Sequence, residues 1–184
     1  MGRTKLYDRE ALLDAAMTVF WQRGYADTSL QQLERATGVN KSGLYSEFKD
    51  KEDLFLSSLR HYIDNRESEG LLVHEPLGWG NVEALLRKGP MHGVERKGCF
   101  AINSMREFES LPPQAMEIVA ASQSSMLGLL IKNIEAEKTS LPAKQIAEVV
   151  LIFFSGLCME MNMSPSQQSI VRKVGNFMTT LKAM

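Results

Sequence analysis

The polar residues best suited to chemistry lie in one short stretch, NKSGLYSEFKDK at positions 40–51. Lysine, serine and tyrosine side chains donate hydrogen bonds to base edges and to phosphate oxygens, the groups that proteins contact on DNA. We expect base contacts from the first turn of a helix here, and phosphate contacts from its later residues and from amides at nearby helix starts. The predicted DNA contacts are Thr28, Asn40, Lys41, Ser42, Gly43, Tyr45, Lys49 and Lys51.

Two short helices joined by a tight turn must position these residues. Thr28 and Gln31 match a capping-box pattern that starts the first helix, and Gly38 is placed to end it. Asn40 is the predicted N-cap of the second helix, which covers about residues 41–48. Asp8 is the predicted N-cap of an earlier helix. This spacing is typical of a helix-turn-helix, whose second helix fits the major groove of DNA, roughly 12 Å wide.

The local distribution of charged residues supports this interpretation, whereas the net charge of the whole chain does not. The whole chain has 21 basic and 22 acidic residues, a formal net charge of −1, so affinity for DNA must come from where the charges stand. Between Arg35 and Lys49, three basic residues are opposed only by Glu47. This modest positive patch predicts DNA binding that weakens steeply as salt is added.

Composition and periodicity predict an all-α protein. Hydrophobic residues make up 44% and charged residues 23% of the 184 positions, typical of a globular chain. Apolar residues recur at helical spacing, without the alternation that indicates strands. The longest apolar run, Val149–Met159, is eleven residues, too short to span a bilayer, so we expect a cytoplasmic protein without a membrane partner. We predict a three-helix helix-turn-helix DNA-binding domain over 1–50 and a larger helical ligand-binding and dimerisation domain over 51–184.

The two most apolar helices are predicted near the C-terminus, one over Ala143–Met163 and one with Ser164 as N-cap. Such a pair can form a four-helix bundle with a second copy of the chain. The alternative is that both helices only complete the core of one chain. The predicted dimer contacts are Val149, Phe153, Gly156, Leu157, Val174, Phe177 and Leu181.

A small-molecule pocket needs apolar walls with a few polar groups. The helix predicted after Gly98 and the long helix predicted from Pro113 supply both kinds of residue. A tryptophan in a predicted loop is placed to cover such a pocket. Ordinary core packing is the alternative for every one of these residues. The predicted effector pocket consists of Trp79, Cys99, Phe100, Asn103, Met105, Phe108, Met126 and Leu130.

Cys99 suggests a second hypothesis, a thiol sensor for electrophiles or oxidants. It opens a predicted helix and follows Arg96 and Lys97, and both features favour the thiolate. The alternative is a small buried residue at a helix start. Cys158 lies in the most apolar helix and is interpreted as structural. The wide sequence separation of the two cysteines argues against a disulfide framework.

Signatures of an enzyme are missing from the sequence. The three histidines are scattered without ligand spacing, so we expect no metal site. No serine stands in a strand-turn-helix nucleophile context, and no acidic pair suggests hydrolysis. We therefore expect a protein that is not an enzyme and uses no cofactor.

The segment Gly24–Phe55, GYADTSLQQLERATGVNKSGLYSEFKDKEDLF, resembles the DNA-binding signature of the TetR family of bacterial regulators. Its Gly-Tyr, Thr-Ser, Ala-x-Gly-Val, Leu-Tyr-x-x-Phe and Lys-Glu-x-Leu elements stand at the spacing usual for that family. The resemblance implies a nine-helix homodimer that binds a near-palindromic double-stranded operator and is released by a small-molecule effector. Glu34 departs from the pattern, because the family usually has a small residue there.

Three alternatives to a ligand-released repressor stay open at this point. The first is an activator or dual regulator with the same architecture. The second is the thiol sensor acting through Cys99. The third is a helical carrier or enzyme that retains a passive helix-turn-helix, which the polar first turn at Lys41 and Ser42 disfavours.

Overall fold

The computed structural model describes residues 7–90 and 98–183, and within these ranges the regular structure is helical with no strand. The all-α prediction is therefore confirmed. Short 3₁₀ turns lie at Gly70–Leu72, Met105–Glu107 and Met161–Met163. The α-helices are α1 Arg9–Arg23, α2 Leu30–Thr37, α3 Lys41–Glu47, α4 Lys51–Asn65, α5 Trp79–Lys88, α6 Phe100–Ser104, α7 Pro113–Glu135, α8 Ala143–Glu160 and α9 Gln167–Lys182.

The chain forms two compact units that interleave in sequence. The first unit contains the residues up to Asn65 together with Ser104–Ile118. The second unit contains Arg66–Asn103 and Val119–Met184. The predicted division between residues 50 and 51 stays a prediction; within the first unit, α4 packs on α1.

The core of the first unit is built on α1. Asp8 caps this helix as predicted, with its carboxylate accepting from the amide of Glu10 at 3.0 Å. The buried face of α1 presents Phe20, whose ring meets that of Phe55 edge-on at 5.1 Å between centroids. Tyr25 completes the cluster, with its ring 4.9 Å from that of Phe55. This aromatic cluster fixes α4 against α1 and gives the shorter helices a rigid base.

Two predicted helix caps are wrong by one or two residues. The capping box of α2 is formed by Ser29 and Gln32, because Thr28 is buried and its hydroxyl donates to the carbonyl of Gly24 at 2.6 Å. The N-cap of α9 is Ser166, whose side chain accepts from an amide of the first turn. Ser164 has φ of 52° and closes the preceding turn, so it lacks the extended backbone of an N-cap.

A fully buried amide organises the second unit. Asn133 accepts with Oδ1 from the amide of Gly78 at 3.0 Å and from Nδ2 of Asn81 at 2.8 Å. Its own Nδ2 donates to the carbonyls of Leu72 and Leu129 at 2.8 and 2.9 Å. One side chain on α7 therefore holds the segment before α5, and all its hydrogen-bonding capacity is used.

The prediction of a loop at Trp79 is wrong, because α5 begins at that residue. The amide of Trp79 donates to the carboxylate of Glu137 at 2.7 Å, which satisfies a free amide at the helix start. A Cβ on Gly78, whose φ is 147°, would lie 2.4 Å from the same carboxylate. The sequence alone could not show this, because Glu137 is distant along the chain.

Helix α8 and the turn after it form the most apolar span in the part of the chain that the structure describes. Ala143–Met163 is long and apolar enough to cross a membrane by length and composition, and 33% of its most apolar 18-residue window is buried. This span is longer than the uninterrupted apolar run Val149–Met159, because it also includes flanking residues of which few are charged. Its buried side chains include Ile146, Val150 and Phe154, which belong to the core of the second unit.

Candidate functional site

The helix-turn-helix geometry is formed as predicted by α2, a tight turn and α3. Gly38 adopts φ 69° and ψ 7°, the left-handed conformation that ends α2, and its amide donates to the carbonyl of Glu34. Asn40 caps α3, with Oδ1 accepting from the amide of Gly43 at 2.9 Å. Leu33 and Leu44 are buried between the two helices. The inner faces are thus fixed, and the outer face of α3 is left to solvent.

The exposed face of α3 carries the predicted base contacts. Lys41, Ser42 and Tyr45 are all exposed, Tyr45 by 42%. The ammonium group of Lys41 lies 5.8 Å from the centroid of the Tyr45 ring. A cation above an aromatic ring orders both side chains modestly at an exposed site. The arrangement presents a positive and aromatic surface sized for the DNA backbone and grooves.

Gly43 has a packing role as well as the predicted one at DNA. A Cβ at this position would lie 2.6 Å from Cγ1 of Val39, so a larger residue would displace the turn from α3. Its carbonyl accepts from the hydroxyl of Tyr7 at 3.3 Å. The glycine therefore lets α3 sit close to the turn, whatever it contributes to DNA contact.

Two of the predicted phosphate contacts have partners inside the first unit. The ammonium group of Lys51 donates to the carbonyls of Tyr25 and Thr28 at 2.9 and 3.0 Å. Thr28 is 2% exposed. A role of Lys51 or Thr28 in DNA binding stays a prediction. For the buried Thr28, the contact would come from the backbone amides beside the exposed Ser29. Lys49 is exposed, as its predicted role requires.

Glu34, the departure from the family pattern, has a clear structural role. Its carboxylate accepts a hydrogen bond from the amide of Lys41, the first residue of α3. A negative charge at a helix N-terminus is favourable, because it meets unpaired amides and the positive end of the helix dipole. Glu34 thus ties the last turn of α2 to the first turn of α3.

Glu107 is a second carboxylate that holds this region, and no sequence pattern indicated it. Its oxygens accept from the amides of Tyr25 at 3.1 Å and Ala26 at 2.8 Å. Gly24 has φ of 86°, which favours glycine, and a Cβ here would also lie 1.9 Å from Oε1 of Glu107 and force that carboxylate to shift. The turn between α1 and α2 is therefore held by a residue from a distant part of the chain within the first unit.

The second unit contains a mainly apolar cavity with about 310 Å³ of empty space, including its open mouth. Cys99 and Met126 of the predicted pocket contribute to its wall. Within the part of the chain that the structure describes, Arg66 is the one charged side chain of this wall. The lining residues are Arg66, Cys99, Ala101, Ile102, Val119, Ser122, Gln123, Met126, Leu151, Phe154 and Ser155.

The other six predicted pocket residues do not line this cavity. Phe100 and Leu130 are buried in the second unit. The amide of Asn103 exchanges hydrogen bonds with that of Asn162 at 3.0 and 3.3 Å. Trp79 is half-buried at the start of α5. Two of the six fall in the first unit, the half-buried Met105 and the exposed Phe108.

The two cysteines, distant in sequence, meet in the second unit. Both are buried free thiols, and they are joined by a side-chain hydrogen bond. This bond, together with burial, raises the pKa of the Cys158 thiol well above its ordinary value, and nearby Arg66 opposes the shift. Arg96 and Lys97, predicted to activate Cys99, lie outside the described residues.

The predicted dimer residues divide into exposed and buried sets. Val149 and Gly156 are exposed, and the half-buried rings of Phe153 and Phe177 stack at 3.7 Å between centroids. The remaining three are at most 3% exposed in their own chain, so their place is the core and their contact with a second chain stays a prediction. These three are Leu157, Val174 and Leu181.

The search for a metal position gave no candidate. Within residues 7–90 and 98–183, no group of three or more His, Cys, Asp or Glu side chains is arranged to hold a metal ion.

Comparison with known proteins places the helix-turn-helix in a family. Residues 12–57 match the family described as "Bacterial regulatory proteins, tetR family". The HTH-type transcriptional repressor ComR of Escherichia coli (strain K12) is 54% identical over 63 residues, which cover 34% of this chain and 30% of ComR. The uncharacterized HTH-type transcriptional regulator YezE of Bacillus subtilis (strain 168) is 36% identical over 115 residues, 58% of each chain. The chain therefore spans 30% of the length of ComR and 58% of the length of YezE.

Solved structures extend the likeness in fold to both units. A cysteine mutant of the TetR family transcriptional regulator CifR, complexed with 26bp double-strand operator DNA, gives a TM-score of 0.82 at 22% identity, covering 96% of this chain and 98% of CifR. The reduced form of NemR from E. coli gives 0.78 at 21% identity, covering 96% and 95%. Residues 12–57 therefore match the helix-turn-helix region of the tetR family, and the fold of the chain is similar to that of solved TetR family regulators.

Proposed function

We propose that this protein is a cytoplasmic transcriptional repressor, which binds a near-palindromic DNA operator as a homodimer and is released by a small-molecule effector. The observation that carries the proposal is the exposed face of α3, where Lys41, Ser42 and Tyr45 face solvent on a fixed helix-turn-helix. ComR is named a repressor, and the CifR structure contains operator DNA. Both support a role in DNA binding for this chain.

Dimerisation is supported by apolar surface on α8 and α9. Val149, Ile152 and Val171 are 41%, 74% and 42% exposed. Exposed apolar side chains grouped on neighbouring helices commonly mark a protein interface. Two copies related by a two-fold axis would present two reading helices to an inverted repeat.

Release by an effector is supported by chain connectivity around the cavity. The segment that carries Glu107 is preceded by Ile102 and followed by Val119, both of which line the cavity. A ligand that moves either wall residue would pull on Glu107, which holds the turn at Tyr25 and Ala26. Such coupling is reciprocal, so bound operator must weaken effector binding by the same factor.

The test is selection of bound duplexes from a random DNA pool, with the wild-type protein and with Tyr45→Ala. The proposal predicts an inverted repeat that the variant fails to recover. A wild-type selection that yields no motif at low salt would contradict it and favour the carrier or enzyme interpretation. The effect on a promoter fused to the recovered operator then separates a repressor from an activator.

A second candidate function, thiol sensing, is favoured by the contact between Cys99 and Cys158. Hydrogen peroxide would oxidise the two thiols to a disulfide, taking up two electrons and two protons and leaving as two molecules of water. Cys99→Ser is expected to keep DNA binding and lose the response to peroxide. An unaltered response in Cys99→Ser removes this candidate.

A further inference from the structure

We infer that the cavity of the second unit binds small, mainly apolar carboxylates, with Arg66 as the group that recognises the carboxylate. The inference rests on the proposed function, since it names the chemical class of the effector. It depends on one unsatisfied charged side chain, on the pairing of its neighbours and on the composition of the cavity wall.

Arg66 is a buried cation with one unused donor. Its side chain is 5% exposed, and its Nε is buried without an acceptor among the described residues. An unpaired buried donor is costly, and more so when the group is charged. Arg66 lines the cavity, so an oxygen acceptor that enters and displaces the groups covering Nε would remove this cost.

Glu69, the ion-pair partner of Arg66, does not accept a hydrogen bond from Nε. Nη2 of Arg66 donates to Oε1 of Glu69, while the other oxygen of Glu69 accepts from the hydroxyl of Ser125 at 3.3 Å. Both carboxylate oxygens are therefore engaged, and neither reaches Nε. Glu69 is not among the lining residues, so among the described residues the one charge on the cavity wall is positive.

The rest of the wall sets the size and polarity of the ligand. Most of its side chains are apolar, and the hydroxyl of Ser155 is already used, donating to the carbonyl of Leu151 at 2.9 Å. The empty space of about 310 Å³ includes open solvent at the mouth, so a single ring or a short chain would enter only if wall side chains move aside. Met126 is a flexible side chain that can adjust to such a ligand.

A carboxylate fits this wall better than a neutral carbonyl. Both can accept a hydrogen bond from the guanidinium of Arg66, but the carboxylate also offers two oxygens and a charge of opposite sign. A carboxylate left without a cation in an apolar cavity would be strongly disfavoured, and Arg66 supplies that cation. The site therefore discriminates by charge at one end and by shape at the other.

The position of Arg66 in the chain connects the site to the helix-turn-helix. Arg66 follows Asn65, the last residue of α4, and the first residue of that helix is Lys51. Lys51 donates to the carbonyls of Tyr25 and Thr28, just before α2. A ligand that moves Arg66 would therefore move the C-terminal end of α4. The N-terminal residue of the same helix, Lys51, contacts the segment just before α2.

The experiment is calorimetric titration of the full chain, free of DNA, with benzoate and the straight-chain carboxylates from butanoate to octanoate. Each is paired with its neutral amide, so the comparison needs no variant. We expect at least one carboxylate to bind about tenfold or more tightly than its amide, a difference of about 1.4 kcal/mol. Equal affinity for every pair, or no binding by any carboxylate, would overturn the inference.

Two variants test whether Arg66 is the residue that binds the carboxylate. Arg66→Gln is expected to lose about tenfold or more in carboxylate affinity, whereas its binding of the amide changes little. Arg87→Gln is the matched control, because Arg87 also pairs with a glutamate but does not line the cavity. An Arg66→Gln variant that folds and binds the carboxylate like Arg87→Gln would also overturn the inference.

The outcome separates this inference from the proposed function. A protein that selects an inverted repeat but binds no carboxylate keeps the regulator proposal and loses the effector class. A protein that binds the carboxylate through Arg66 but selects no DNA keeps the ligand site and loses the regulator.

Discussion

The helix-turn-helix and the second unit use polar contacts of very different range. In the helix-turn-helix, Ser29 pairs with Gln32 and Asn40 with Gly43, partners three residues apart. In the second unit, Asn133 contacts partners 52, 55 and 61 residues away. Local contacts specify the caps of the helix-turn-helix, whereas a single residue, Asn133, makes several long-range contacts in the second unit.

The largest effect that would sharpen this comparison is expected at Asn133. Asn133→Ala leaves the amide of Gly78 and the carbonyl of Leu72 without partners, and each unsatisfied group is costly. We expect the free energy of unfolding to fall by about 3 kcal/mol in urea denaturation followed by circular dichroism. Asn176→Ala, on the exposed surface of α9, should change it by less than about 0.5 kcal/mol. Similar losses in both variants would contradict the account.

Tyr45→Ala is the corresponding test in the helix-turn-helix, and it should spare stability. Tyr45 is 42% exposed, so its removal takes little from the core. We expect affinity for the selected duplex to fall about a hundredfold, measured by fluorescence anisotropy, with the urea midpoint unchanged. Tyr45→Phe keeps the ring beside Lys41 and isolates the contribution of the hydroxyl. Unchanged affinity in Tyr45→Ala would rule out the proposed docking of α3.

Within the first unit, Glu107 brings contacts from 82 and 81 residues away to the turn before α2. Glu107→Ala should free the amides of Tyr25 and Ala26, at a cost of about 1–3 kcal/mol. Hydrogen exchange should then quicken at those two amides and not along α1. The exposed Glu109 gives a control, and Glu109→Ala should leave both amides protected. Continued protection in Glu107→Ala would remove the proposed route from the cavity.

The smallest expected effect is at Glu34, the local link between α2 and α3. Glu34→Ala removes the acceptor for the amide of Lys41 and should lower the free energy of unfolding by about 1 kcal/mol. It also removes a negative charge near the predicted DNA contacts, so DNA affinity should rise a few-fold at low salt. Glu34→Gln keeps an acceptor and should recover much of the stability. A loss of DNA affinity in both variants would mean that the carboxylate itself is needed for α3 to bind.

The range of contacts also explains what the sequence could predict. The caps at Asp8, Gly38 and Asn40 are predicted correctly because a cap depends on neighbours within four residues. The predicted start of α2 is wrong because Thr28 and Ser29 both suit an N-cap. Burial of Thr28 decides between them, and burial is a property of the fold.

The cavity shows the opposite case. Its wall combines Arg66 with residues from α6, α7 and α8, and the segment just before α6 supplies Cys99. Sequence periodicity identifies Cys99 and Met126 as candidates because both fall in predicted apolar helices. It misses Arg66, whose unpaired Nε depends on where Glu69 and Ser125 point. Contacts of this kind exist only after the chain has folded.

The most direct test of the account is the stoichiometry of the complex with the selected duplex, measured by sedimentation. Two chains should bind each intact inverted repeat, and scrambling one half-site should cost about a hundredfold or more in affinity. The slope of log affinity against log salt should also be steep, because the proposal has lysines of both copies contact phosphate. One chain per duplex, with the same affinity for a single half-site, would contradict the dimeric reader on which the proposal depends.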